Sequence, residues 1–398
     1  MKSYCALLLL IASGIPSTAY SRPEYALRNK KNCLACHVLP SGGGPRRKFG
    51  KIFGSRDFLP ARTSDTDLYY ADFRSIYMLP LKTPKNQNNG LALMVAAPSV
   101  NVPIIDEPDV SSLRMLATVD FGTLSSGARE ILLLWQPSFK DGWLPTSIMF
   151  GKFYLPYGLL TDEHRTYVRM QSKTSLRDYE MGVSLGWDAP ELLHFDLSLT
   201  NGFQSAGGFT NADLRYAITP NLRWNPPNLP FMLGASYSRH ISEKGVNPYS
   251  LSGFGALSLG RLSGGLIKGS ILGEYCVSRY WNEATRNERM GFFYSSVDTS
   301  GFQQAVSESQ SAGYYIETNL TLNQRFTLVY KFDDLRLDLR FSGDSFQRHG
   351  AGFNWHLLSN LILMTRLEIA VVHREALKTL LDAKAAQSVG LAMLRLWL

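Results

Sequence analysis

From about residue 91 onward, apolar and polar side chains alternate one by one instead of recurring every three or four positions. Tyr314, Ile316, Thr318, Leu320 and Leu322 alternate with Tyr315, Glu317, Asn319 and Thr321. Leu363, Thr365, Leu367, Ile369 and Val371 alternate with Met364, Arg366, Glu368 and Ala370, and Leu335, Leu337, Leu339 and Phe341 with Arg336, Asp338 and Arg340. Met181, Val183, Leu185 and Trp187 are separated by Gly182, Ser184 and Gly186, and Phe195, Leu197 and Leu199 by Asp196 and Ser198. A side-chain period of two is that of a strand, so each stretch is predicted to have one apolar and one polar face. Residues 374–387 break the pattern: Leu377, Leu380 and Leu381 are spaced like one face of a helix. A long loop or short helix is expected there, before a last strand over Leu391–Leu398.

Two architectures use such strands. In a soluble sandwich the apolar faces meet in a shared core; in an outer-membrane barrel they face lipid while charged residues line a wet lumen. Aromatic side chains cluster toward strand ends (Tyr314-Tyr315, Phe353, Trp355, Phe292-Phe293-Tyr294), where a membrane interface would place them. The polar faces carry full charges strand after strand, and the chain closes on an alternating strand whose aromatic, Trp397, stands one place before the end. The expected fold class is therefore all-β, a transmembrane outer-membrane β-barrel over residues 91–398. At 18 to 22 residues per strand and turn it would have roughly 14–16 strands. Residues 63–90 read as either a linker or a first strand.

Composition removes several alternatives. The chain has 398 residues, 19% of them charged and 12% aromatic, which argues against disorder. Four cysteines are too few to staple a chain of this size. After the first twenty residues no apolar run approaches the roughly 18 residues of a spanning helix. Residues 1–21 have the three parts of a secretory signal peptide: Lys2, the apolar run Ala6–Ile11, and the small residues of Ser17-Thr18-Ala19-Tyr20-Ser21 before the cleavage point. Cys5 precedes the apolar run and is no lipid-attachment cysteine. The mature chain would begin near Arg22, outside the cytosol.

Charge then singles out one short segment. Of the net +8, residues 22–56 hold nine basic side chains (Arg22, Arg28, Lys30, Lys31, Arg46, Arg47, Lys48, Lys51 and Arg56) against Glu24 alone. With Lys2 set aside, about −1 is left for residues 57–398. Nucleic acid is the usual partner of such a cluster, but an exported chain rarely meets it, so no nucleic-acid role is expected. Haem propionates, acidic lipid head groups or an acidic redox partner fit better.

Inside that segment stands Cys33-Leu34-Ala35-Cys36-His37. C-x-x-C-H is the attachment signature of a c-type haem. Cys33 and Cys36 are spaced to add to the two vinyl groups of one porphyrin, and His37 follows closely enough to place its imidazole on the iron. Chance gives this pattern roughly once in a thousand chains of this Cys and His content. A thioredoxin-like pair would need a βαβ setting, a zinc site further ligands nearby, and a disulfide across so short a loop is uncommon. One covalent haem c is therefore expected in residues 22–62. The run Pro40-Ser41-Gly42-Gly43-Gly44-Pro45, followed by Arg46-Arg47-Lys48, either folds closely against the haem or links it to the barrel. Met78 is the nearest downstream methionine that could be a sixth iron ligand, although packing is the commoner role. His164, His240, His349, His356 and His373 read as ordinary surface or lumen residues, and Cys276 as a small buried thiol.

A signal peptide, one C-x-x-C-H near the mature N-terminus (Cys33, Cys36, His37) and a porin-like barrel to the end resemble the single-chain outer-membrane cytochrome–porin fusions, including the monohaem cytochromes of iron oxidisers. Phe150-Gly151-Lys152-Phe153-Tyr154-Leu155-Pro156-Tyr157-Gly158 and Leu197-Ser198-Leu199-Thr200-Asn201-Gly202 are similar to strands of phosphate-selective-type porins. The Gly42–Gly44 run and the Leu398 terminus depart from the iron-oxidising members. The resemblance implies electron transfer across the outer membrane of a Gram-negative bacterium. Electrons would run between an extracellular donor or acceptor, Fe(II) among them, and a periplasmic redox protein such as a soluble cytochrome c. Two alternatives stay open: a diffusion channel whose haem segment is a sensor or gate, and a soluble sandwich with haem enzyme activity. No triad, phosphate loop or metalloprotease motif supports a hydrolytic role.

Overall fold

The computed structural model describes the chain except for residues 1–67, 82–89, 108–110, 123–126, 138–143, 160–165, 173, 175–177, 190–192, 203–213, 227, 243–246, 280–309, 337–338, 340–344, 359, 373–387 and 398. Cys33, Cys36, His37, His164 and His373, the signal peptide and the 374–387 break all lie outside the described residues.

Alternation becomes architecture in sixteen antiparallel strands. In chain order they are β1 (Tyr69–Pro80), β2 (Gly90–Glu107), β3 (Ser111–Asp120), β4 (Gly127–Pro137), β5 (Ser147–Tyr154), β6 (Tyr179–Ala189), β7 (Leu193–Thr200) and β8 (Leu214–Trp224). There follow β9 (Phe231–Ser242), β10 (Tyr249–Ser258), β11 (Gly269–Arg279), β12 (Gln310–Thr321), β13 (Phe326–Arg336), β14 (Ser345–Leu358), β15 (Leu361–Val372) and β16 (Val389–Trp397). Each pairs with its sequence neighbours, and β1 pairs β16 from Asp72↔Trp397 to Pro80↔Val389, so the sheet closes on itself. Closure removes every edge strand, which is what a sheet in lipid requires.

Strand faces follow the sequence parity. On β15, Leu367 and Ile369 point outward and are exposed, while Ile362 and Glu368 are buried inside. On β12, Ile316 is outward and Tyr315, Glu317 and Asn319 are inward. The outer face is apolar over its whole circumference, with Leu133, Leu199, Leu222, Leu233, Leu251, Leu328 and Leu394 among the exposed side chains. No helix among the described residues is long and apolar enough to cross a membrane; the strands do so.

Connections from even to odd strands run from two residues (359–360) to ten (259–268), and those from odd to even from six (121–126, 243–248) to thirty (280–309), with 155–178, 201–213 and 373–388 also long. Outer-membrane barrels keep short turns on the periplasmic side and long loops outside. The short-turn end of this barrel therefore faces the periplasm, and Tyr69, the first residue of β1, stands at that end. Aromatic residues mark both rims. Trp187 packs on Phe195 at 5.5 Å, Trp224 on Phe231 at 5.6 Å and Phe326 on Trp355 at 5.6 Å, all at the short-turn ends of their strands. Toward the other rim tyrosine takes over, with Tyr237–Tyr249 at 6.3 Å and Tyr314–Phe332 at 5.6 Å. Two aromatic girdles flanking an apolar band are the signature of the bilayer interfaces.

Of the alternation over 335–341, Leu335 and Arg336 end β13, residues 337–338 and 340–341 lie outside the described residues, and Leu339 lies in a turn, its N–H donating to Gln310 O at 2.9 Å.

Candidate functional site

The lumen is the candidate site. Between β5 and β6 the described residues 155–159 and 166–172 lie inside the barrel. Leu155, Tyr157, Leu159, Tyr167 and Val168 are all buried there. Gly158 takes a left-handed backbone (φ 59°), open to glycine without strain, and its N–H donates to Ser236 Oγ on β9 at 2.7 Å. The Leu159 N–H donates to Glu274 Oε2 on β11 at 3.3 Å, and Tyr157 Oη lies 3.4 Å from Cys276 Sγ on the same strand.

A short helix, α1 (Tyr167–Ser172), continues the segment and packs on β11, β12 and β13. Lys331 Nζ on β13 donates to Thr166 Oγ1 at 2.6 Å and sits 5.1 Å from the centre of the Tyr315 ring. The Arg348 guanidinium on β14 covers the Tyr167 ring at 4.7 Å. Ser172 closes the helix by donating to Val168 O at 2.8 Å. The segment leaves the wall at β5 and is anchored on β9, β11, β12, β13 and β14.

Those anchors carry an apolar cluster through the lumen. Leu155, Tyr157, Leu159 and Val168 join inward-facing Leu116, Leu132, Leu134, Met149 and Phe153 from β3–β5 and Met232, Phe254, Leu272, Cys276 and Tyr315 from β9–β12. In a ring of sixteen, β4 and β12 are diametrically opposed. The segment thus narrows the passage by joining opposite walls, and burial of its side chains holds it there.

Elsewhere the lumen wall carries a lattice of ion pairs and hydrogen bonds. Asp72 on β1 accepts from Nε and Nη2 of Arg74 (3.0 and 2.6 Å) and from Nε and Nη2 of Arg395 on β16 (both 2.8 Å). Two guanidiniums therefore lock the strand pair that closes the barrel. Asp333 on β13 binds Arg348 Nη2 at 2.7 Å and lies 3.6 Å from Lys331 Nζ; Arg348 Nη1 also reaches Glu368 at 3.6 Å. At the short-turn end His194 bridges Asp188 (2.8 Å) and Asp196 (2.9 Å), and Asn221 Nδ2 donates to Asp196 at 3.2 Å. Toward the long loops, Ser99 and Thr118 are 2.8 Å apart, Thr118 donates to Glu130 at 3.2 Å, and Thr200 donates to Glu180. Among the described residues, no group of three or more His, Cys, Asp and Glu side chains is placed to hold a metal ion.

The residues named from sequence separate. Cys276 is the buried thiol expected, in the apolar cluster. His240 and His356 are buried lumen residues, whereas His349 is outward and 2.9 Å from the Tyr330 hydroxyl. Met78 lies on β1 toward the long-loop end and is exposed. Sequence reading missed His194 and the inward segment. The signal for the latter was available: Leu155-Pro156-Tyr157-Gly158-Leu159 prolongs an apolar strand past a proline, where a rim loop should turn polar.

Solved outer-membrane channels share this architecture. The chain is similar to Salmonella typhi OmpF in complex with daunomycin (TM-score 0.58, 9% identity, 83% of this chain and 97% of that one). It is also similar to a loop L8 deletion mutant of OmpT from Vibrio cholerae (TM-score 0.55, 9%, 83% and 98%). A third likeness is to an anion-selective porin from Comamonas acidovorans (TM-score 0.53, 9%, 83% and 97%). At such identities the likeness is one of fold. Neither a known protein family nor a curated protein matches the chain at the level of sequence. Fold, lipid-facing band and girdles together define the class: a sixteen-stranded porin-like barrel of a Gram-negative outer membrane.

Proposed function

We propose that the protein is an outer-membrane diffusion channel whose passage is narrowed by residues 155–159 and helix α1. The observation that carries this reading is the polar, charge-lined lumen wall of a closed sixteen-stranded barrel, which replaces hydrocarbon with a hydrated path. Tyr157, Leu159 and α1 act as the constriction, because they join opposite walls within the lumen. Planar-bilayer recording on the full chain tests it: stepwise single-channel currents are expected, and a barrel that inserts without passing current overturns it.

A second reading is favoured by one specific observation, the C-x-x-C-H run Cys33-Leu34-Ala35-Cys36-His37 in an exported chain. In this reading the protein carries electrons across the outer membrane. Cys33 and Cys36 would hold one covalent haem c and His37 would bind its iron, and the group would supply one-electron chemistry. The chain joins the barrel through Tyr69 at the short-turn end, which favours a periplasmic redox protein such as a soluble cytochrome c as partner. An extracellular donor or acceptor, Fe(II) among them, would stand at the other end. Haem staining and an absorption spectrum of the purified outer-membrane fraction test this reading. A covalent haem lost in Cys33→Ser supports it, and a mature polypeptide of unmodified mass rejects it.

A further inference from the structure

The short-turn rim is not uniform. Around β8–β13 three successive connections carry exposed aliphatic side chains: Leu229 in 225–230, Leu262, Leu266 and Ile267 in 259–268, and Leu322 in 322–325. Leu266 is 90% exposed. The same connections hold Arg261, Lys268 and Arg325 and no acid, whereas 108–110, 138–146 and 190–192 hold Asp109, Asp141 and Glu191. Neighbouring connections on this rim are two strands, about 10 Å, apart, so the aliphatic and cationic side chains form one surface.

The sheet itself carries that surface past its strand ends. The Ser258 N–H donates to Pro230 O and the Thr321 N–H to Lys268 O, both at 2.7 Å, which extends two ladders by one step. Leu229, Ile267 and Leu322 thereby continue the outward faces of Phe231, Ile271 and Leu320, whose neighbours Met232, Ser270 and Asn319 are buried inside. Between those ladders the 259–268 connection is tied to itself. It opens with one helical turn, α2 (Leu259–Leu262), whose Arg261 N–H donates to Ser258 Oγ at 3.4 Å. The Gly265 N–H donates to Gly260 O at 2.7 Å and the Ile267 N–H to Ser263 Oγ at 2.9 Å. Gly264 and Gly265 take left-handed backbones (φ 64° and 95°), which turn the chain there without strain. In the next connection Asn323 Oδ1 accepts from the N–H groups of Arg325 at 2.8 Å and Phe326 at 3.0 Å. Leu266 and Ile267 are therefore exposed from a hydrogen-bonded turn.

We propose that this patch is a foot in the periplasmic leaflet: Leu262, Leu266 and Ile267 enter among the acyl chains, and Arg261, Lys268 and Arg325 take the phosphates of anionic glycerophospholipids. Continuity argues for lipid over a soluble protein. The Trp224–Phe231 and Phe326–Trp355 pairs mark the membrane interface at this same rim, and the patch extends their face toward the periplasm. Charge argues the same way, because aliphatic side chains set among cations are the composition of a surface that lies in an anionic interface. A second copy docked symmetrically would instead set cations against cations. The barrel would sit deeper in the membrane on its β8–β13 side. The proposal holds whether the lumen carries solutes or electrons.

The test uses the full chain in proteoliposomes of phosphatidylethanolamine and phosphatidylglycerol. Leu266→Cys in a Cys33→Ser/Cys36→Ser background carries an environment-sensitive dye, and the same background without Leu266→Cys corrects for labelling at Cys276. Blue-shifted emission is expected, roughly halved by phospholipids brominated on their acyl chains. The emission of a dye in water, untouched by those lipids, overturns the proposal and leaves the patch to a soluble partner. In a second measurement the delipidated protein is offered equal amounts of the two lipids, and native mass spectrometry counts what is retained. Phosphatidylglycerol should be favoured, and the preference should fall about fivefold in Lys268→Gln/Arg325→Gln. Equal retention of both lipids, or a preference that the substitutions leave unchanged, overturns the proposal. Heat-modifiable gel migration verifies each barrel, and Lys268→Gln alone serves if the double variant does not assemble.

Discussion

Tyr157 Oη and Cys276 Sγ meet 3.4 Å apart inside the lumen, joining the chain just past β5 to β11 far around the wall. The thiol is buried in the apolar cluster that the segment completes. In a Cys33→Ser/Cys36→Ser background Cys276 should therefore react slowly with a charged maleimide. Tyr157→Ala removes the ring that covers it, and labelling should quicken about tenfold, as expected when a packed side chain is truncated to leave a wetted gap. Equal labelling rates in the two proteins would mean that the segment does not sit where it is placed here.

One carboxylate ties the closing strand pair by its side chains. Asp72 on β1 holds Arg74 on its own strand and Arg395 on β16, all three buried. Asp72→Ala removes the buried carboxylate that both guanidiniums bind, at a cost of about 3–5 kcal/mol. The temperature at which the barrel loses its heat-modifiable gel form should fall accordingly. Replacing Asp72, Arg74 and Arg395 together by leucine should cost less than Asp72→Ala alone.

Leu367 and Glu368 are neighbours in sequence on opposite faces of β15, the one exposed on the outer surface and the other buried inside. Leu367→Arg places a charge in the hydrocarbon and should cost about 2–4 kcal/mol of folding stability in lipid. Glu368→Gln keeps the size of the buried side chain and a hydrogen-bonding oxygen beside Arg348, which Asp333 also binds, and should cost less than Leu367→Arg. Unfolding by denaturant in lipid vesicles measures both. Equal costs would contradict the assignment of faces.

Thr166→Val removes the hydroxyl that accepts from Lys331 Nζ at one end of α1. A lost hydrogen bond to a charged group costs about 1.5–3 kcal/mol, enough to loosen the helix from the wall. Single-channel records of this variant should show larger and noisier currents than the wild type. Identical records would exclude α1 from the constriction.

Much of the fold was legible because a barrel in lipid obeys a simple rule along each strand. The outward positions Leu363, Leu367 and Ile369 or Val183 and Leu185 must be apolar, and their neighbours are free to be polar. The same rule failed where the lumen itself is apolar. Leu116, Leu132, Leu134 and Phe254 face inward because Leu155, Tyr157, Leu159 and Val168 bring apolar partners to them. Nothing along one strand reports a partner that comes from another loop. On the last strand Leu391 and Met393 likewise point into a second inward cluster, with Ile76 and Met94. The charge lattice was visible only as composition, since Asp72 and Arg395 are brought together by closure of the barrel and are 323 residues apart in the chain. Cys33, Cys36 and His37 are legible in the sequence as a haem motif, and their chemistry stands as a proposal.

Solute flux into proteoliposomes tests the central claim most directly. With the full chain incorporated, vesicles loaded with an impermeant polymer and diluted into an isotonic solution of a small sugar should swell, and the rate should fall as the sugar grows. Vesicles that contain the folded barrel and yet swell no faster than protein-free ones would contradict a diffusion channel.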